Sequence, residues 1–185
     1  MPINAKQIYL VKEMRLVIYV LIIFTVISRL LPHTFNFTSV GALSLFAGAF
    51  LPMRYAWSVP VFCLVVSDAV TGFYHPLVML FVYLGFLTNT FVGQYFLQYK
   101  RNVLRITTSG LVAAFIFYII SNFGMWISEL GYPLTINGII ECYINGLPYL
   151  KITIAANILY SYFLFGTYQL IYLARYKSNI GITTK

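Results

Sequence analysis

Forty-five residues separate Arg54 from Lys100, and Asp68 is the only charged side chain among them. A second stretch, residues 106–128, carries no charge at all. A chain of 185 residues has too little interior to hide both runs, so lipid must cover part of them. In lipid every backbone N–H and C=O has to be satisfied internally, which leaves helices and closed barrels. A crossing needs roughly 20 helical residues and both runs are long enough for that, so helices are expected. Composition agrees, with 61% hydrophobic and 9% charged residues and a mean hydropathy of +0.84. A soluble domain is about a quarter charged. The chain reads as an all-α integral membrane protein, with residues 1–185 forming a single membrane domain.

The formal net charge of +8 does not indicate nucleic acid. The basic residues flank the apolar runs, as membrane topology requires, and form no stripe interleaved with aromatics. Cys63 and Cys142 are too far apart for a disulfide framework, and no CxxC spacing is present. Lys6, Lys12 and Arg15 precede the first apolar run, but no small-x-small cleavage pattern follows it. That run is therefore expected to stay as the first span.

Six spans follow from hydropathy, at residues 14–31, 38–51, 55–70, 77–97, 106–127 and 152–173. Pro32 ends the first and Pro60 is expected to kink the third. Residues 128–151 are too polar to cross and read as a short amphipathic helix at the interface. Alternating sides then collect ten Lys and Arg residues on one face and two, Arg29 and Lys151, on the other. Basic loops stay in the cytoplasm, so both termini are expected inside, in the cell (inner) membrane.

With that orientation the unusual polar residues fall in one leaflet. Arg29, His33 and Asn36 lie at the outer end of span one and beyond it. Asp68 ends span three, and His75 and Tyr83 follow on the same side. Asn122, Trp126 and Glu129 stand at i, i+4 and i+7, which places them on one helix face. Asn157 opens span six. Arg29, His33, Asn36, Asp68, His75, Tyr83, Asn122, Trp126 and Asn157 are the candidate substrate-binding residues, expected to line an outward-facing pocket for a small, partly polar molecule. Competing readings are a structural Arg29–Asp68 ion pair and an aromatic belt at the interface. A metal or proton-transfer site built from His33, Asp68 and His75 is a further alternative. No cofactor is called for, and no nucleophile–base motif marks an enzyme. In the second span Gly41, Ser44 and Gly48 form a small face that allows close helix approach. Docking of a partner membrane subunit and packing within the bundle both fit it.

Four stretches carry a resemblance. They are RLLPHTFNFTSVGALSLFAGAF (29–50), SDAVTGFYHP (67–76), SNFGMW (121–126) and ECYINGLPYLKITIAANILYSYFLFG (141–166). They resemble a bacterial membrane family of unassigned substrate, described as substrate-binding (S) components of energy-coupling-factor transporters. The family pattern R-L-x-P-H-x-x-N-F-T-P-x-x-A-x-x-L-F-x-G is met from Arg29 to Gly48, except that Ser39 stands where proline is expected. The resemblance implies a six-helix bundle that captures a vitamin-like molecule or metal ion from outside. It also implies a transmembrane coupling subunit and two ATPases as partners, on separate chains. The absence here of a GxxxxGK[ST] phosphate loop agrees with that division. The AxxxA face by which many S components dock is missing from LVIYVLIIFTVIS (16–28). Either the face at Gly41, Ser44 and Gly48 substitutes for it, or the protein works as a solitary transporter without an ATPase module.

Overall fold

A computed structural model describes the backbone of residues 5–30 and 36–180 and the side chains of residues 16–29 and 36–176. Within these residues the chain is entirely helical. The elements are α1 (Ala5–Leu30), α2 (Val40–Phe50), α3 (Met53–Ala56), α4 (Ser58–Thr71), α5 (Pro76–Leu97), α6 (Val103–Ile127) and α7 (Ile136–Ile180). Among the described residues three helical stretches are long and apolar enough to cross a membrane, namely Met53–Thr71, Pro76–Leu97 and Val103–Ile127.

α2 is the centre of the bundle. All ten residues from Val40 to Ala49 are buried. At 11 residues the helix is only about 16 Å long, well short of a bilayer's roughly 30 Å core. Its neighbours shield it from lipid, so it needs neither the length nor the outward face of an ordinary span. The small residues of this helix serve that burial. A Cβ at Gly48 would overlap the Thr90 carbonyl of α5, and one at Gly93 would overlap the Leu45 carbonyl of α2. The two backbones therefore touch. Gly41 lies against the Asn157 side chain of α7, and Ser44 Oγ donates to Val40 O at 2.8 Å. Gly41, Ser44 and Gly48 are thus spent within the bundle, and this face is not presented to a partner subunit.

Contacts at the two ends set the helix directions. At one end Arg29 (α1), Thr38 (before α2) and Ser67 (α4) meet. At the other, Arg101 donates to Ala49 O at 3.0 Å and lies over the Phe50 ring, which packs on Tyr168 of α7. Burial of the Arg101 guanidinium lowers its pKa, an effect that the nearby Tyr168 partly opposes. The C-terminal ends of α2, α5 and α7 therefore share this second end with the N-terminal end of α6. An aromatic cluster fills it, with Phe46 edge-on to Phe165 at a centroid distance of 5.2 Å.

One sequence expectation about the helices is corrected. No separate interfacial helix precedes a sixth span. Residues 136–180 form one helix of 45 residues, about 68 Å, with Pro148 inside it. Proline is tolerated inside the helices of a membrane bundle, and this helix runs on through Pro148 and its polar neighbours. The expected interruption of the third span is present: the helical stretch Met53–Thr71 breaks at Trp57, between α3 and α4, one turn before Pro60, which has no N–H to offer the carbonyl of the preceding turn.

Candidate functional site

Two arrangements gather the polar residues at the Arg29 end. The first is a compact charged cluster. Arg29 ends α1 and reaches across to α4. Its Nε donates to Ser67 Oγ at 3.2 Å, its Nη1 donates to Thr38 Oγ1 at 2.9 Å, and its Nη2 lies 3.9 Å from Asp68 Oδ1. The other carboxylate oxygen of Asp68 accepts from Tyr83 OH at 2.9 Å. The Asp68 side chain is only 4% exposed and that of Arg29 19%, so the charges are largely withdrawn from solvent. Tyr74, in the loop between α4 and α5, borders the same group. Burial pushes its phenol up to about 12, with the Asp68 charge adding and Arg29 opposing.

The second arrangement is a cavity of about 300 Å³ between α5, α6 and the first turns of α7. Val78 and Val82 of α5 and Phe117 and Met125 of α6 give it an apolar wall. Asn36, Ser121, Asn122, Tyr132, Asn145 and Thr153 supply polar groups. Tyr118, Cys142, Gly146, Tyr149 and Leu150 complete the lining. Asn122 Nδ2 donates to Tyr118 O at 2.8 Å, which fixes the amide on its own helix. The Cys142 thiol donates to Asn122 O at 3.4 Å, and the Tyr118 hydroxyl donates to Tyr143 O, so α6 and α7 are pinned together beside the cavity. Gly146 permits this, because a Cβ there would overlap the Asn122 amide.

The expected residues thus divide. Arg29, Asp68 and Tyr83 come together in the charged cluster, and Asn36 and Asn122 share the cavity. Trp126 does neither. Its indole N–H donates to Pro133 O at 3.0 Å and holds the α6–α7 loop against α6. Glu129 leaves the expected helix face, because α6 ends at Ile127 and Glu129 has φ +56. Asn157 is fully buried between α2 and α6, where its Nδ2 donates to Gly110 O at 3.3 Å, and it does not line the cavity. His75 is exposed as the N-cap residue of α5. His33 lies outside the described residues. Among the described residues no three His, Cys, Asp or Glu side chains group so as to hold a metal ion.

Sequence reading missed Tyr118, Ser121, Asn145, Tyr149 and Thr153. A signal was present for some of them. Tyr118 stands four residues before Asn122, and Asn145 four before Tyr149, so each pair shares a helix face.

The fold and the site define an all-helical membrane protein with a charged cluster and a polar-edged cavity at one end. No curated protein and no solved structure matches the chain. A family model does match, over residues 11–179, and the chain belongs to that family of unknown function, DUF6580.

Proposed function

We propose that this protein is the substrate-capture subunit of a small-molecule uptake transporter of the S-component kind. It binds its ligand in the cavity between α5, α6 and α7 and carries out no chemistry on it. One observation carries the reading: six polar side chains and an apolar wall, drawn from three helices, the α6–α7 loop and the segment before α2, converge on a 300 Å³ void at one end of the bundle. Small-molecule sites have this character, and their volumes start near 300 Å³. A larger hollow, of about 650 Å³, lies at the opposite end between α1 and the α2–α4 segment, but its lining is mostly apolar and aromatic, with Arg54 and Ser58 beside Ile18, Ile22, Phe50 and Val59.

The topology proposed with it is six crossings with both termini in the cytoplasm of the inner membrane. The end holding Phe50, Arg54, Arg101, Arg105 and Arg175 is then cytoplasmic by the rule for basic loops. The cavity opens at the opposite end, where a capture subunit meets external solute. A transmembrane coupling subunit and ATPases remain the proposed partners, with the docking face on the outside of the bundle, since the small face of α2 is internal.

Native mass spectrometry of the gently purified protein tests the reading. Wild type should retain a small-molecule adduct, released chemically unchanged, and Asn122→Ala should lose most of it. An adduct released in altered form points to an enzyme. An adduct unaffected by Asn122→Ala means that the cavity is not the site.

A further inference from the structure

We infer that the molecule held in this cavity is electrically neutral and consists of a ring whose edge carries amide-like donors and acceptors. The inference rests on the capture reading and narrows it. Among the described residues, no Lys, Arg, His, Asp or Glu lines the cavity. Its polar groups are the carboxamides of Asn36, Asn122 and Asn145 and hydroxyls such as that of Ser121. Each of these both donates and accepts, and none supplies a counter-charge. An ion entering such a lining gives up its hydration for hydrogen bonds to neutral groups and gains no counter-charge, at far greater cost than a neutral amide. A zwitterion fares no better, because each of its charges needs its own partner.

The charged groups at this end of the bundle are turned elsewhere. Arg29 and Asp68 face one another. Glu129, Glu141 and Lys151 are exposed. None of the five lines the void. A resident metal ion is equally unsupported, since Cys142 is the one lining residue with a strong metal-binding atom.

The shape of the chemistry follows from which wall holds what. The Phe117 ring and the side chains of Val78, Val82 and Met125 offer apolar surface for a ring face. The amides reach its edge. Asn122 has one N–H committed to Tyr118 O and its carbonyl oxygen 4.0 Å from the Cys142 thiol, which leaves the second N–H and the oxygen's other lone pair for a complementary donor–acceptor pair, such as a lactam presents. A void of 300 Å³ displaces about ten waters at roughly 30 Å³ each, which is room for a compact ring system.

The test uses the full chain purified in detergent. Its thermal unfolding is followed with three fractions of a deproteinised extract of the expressing cells: the neutral flow-through of paired ion exchangers, the anionic eluate and the cationic eluate. Cobalt chloride alone is the fourth probe. The expected result is a rise of several degrees with the neutral flow-through only, abolished in Asn122→Ala and reduced in Asn145→Ala. A rise given by either eluate or by cobalt, and abolished by the same variants, overturns neutrality while leaving capture in place. No rise with any probe, or a rise that both variants keep, overturns capture itself. If Asn122→Ala does not fold, Asn145→Ala decides, because Asn145 is exposed and its amide meets only Tyr132 OH, at 3.4 Å.

Discussion

Asp68 accepts from Tyr83 and faces the Arg29 guanidinium, so truncating it strands two groups in a largely dehydrated setting. Removing one member of a buried ion pair costs about 3–5 kcal/mol, chiefly because the remaining charge has no partner. Arg29 keeps some solvent contact and retains Thr38 and Ser67, which puts Asp68→Ala toward the lower end, near 3 kcal/mol. The double variant Arg29→Met, Asp68→Leu should recover most of the loss, since it leaves no charge behind. Denaturant unfolding in detergent of the two singles and the double gives the coupling directly. Equal additive losses would show that the pair does not interact. This scale was only half legible in the sequence. Two charges near the ends of apolar runs had to find partners, and Arg29 and Asp68 are each other's. Nothing in residue spacing separated Asn122, which lines the cavity, from Asn157, which braces α2 against α6. Both are asparagines within apolar helices, and only the packing around them differs.

Helix α2 makes the sharpest claim at the scale of elements. Its approach to α5 is a backbone contact in both directions, Gly48 on Thr90 and Gly93 on Leu45. A methyl at Gly48 meets main chain, which cannot swing aside as a side chain would, so the helices must separate. Overpacking of this kind costs about 1–3 kcal/mol, and the upper end is expected for Gly48→Ala. Gly166 of α7 is the matched control, because a Cβ there meets nothing within 4 Å. Gly166→Ala should stabilise by up to about 1 kcal/mol, the helix-propensity difference. Melting temperatures of the two variants should move in opposite directions, and a shared direction would deny the close crossing. Hydropathy located α5 and α6 to within three residues because lipid-facing helices must be uniformly apolar. It erred on α7, where the polarity of residues 128–151 read as a separate short helix at the interface. Asn145, Gly146, Tyr149 and Thr153 serve the cavity instead, Gly146 also lying against Asn122 of α6, and local composition does not reveal that a neighbouring helix supports them.

The capture reading depends, for the whole molecule, on which way the bundle faces. α6 is 25 residues long, about 38 Å, enough to carry the chain across a bilayer core of roughly 30 Å. The loop before it and the loop after it should therefore lie on opposite sides. The loop before it holds Lys100 and Arg101, and the loop after it holds Glu129 and no basic residue, which favours the second as the outer one. In a background with Cys63→Ala and Cys142→Ser, single cysteines report this difference. Leu134→Cys, half exposed in the α6–α7 loop, should react with a membrane-impermeant maleimide in intact cells. Lys100→Cys should react only after the membrane is permeabilised. The reverse pattern would turn the cavity toward the cytoplasm and end its role as a collector of external solute, while labelling of both from one side would remove α6 as a crossing. The expected pattern also fixes the paths of α5 and α7, because each runs antiparallel to α6, with Phe81 beside Gly124 on one side and Gly110 beside Asn157 on the other.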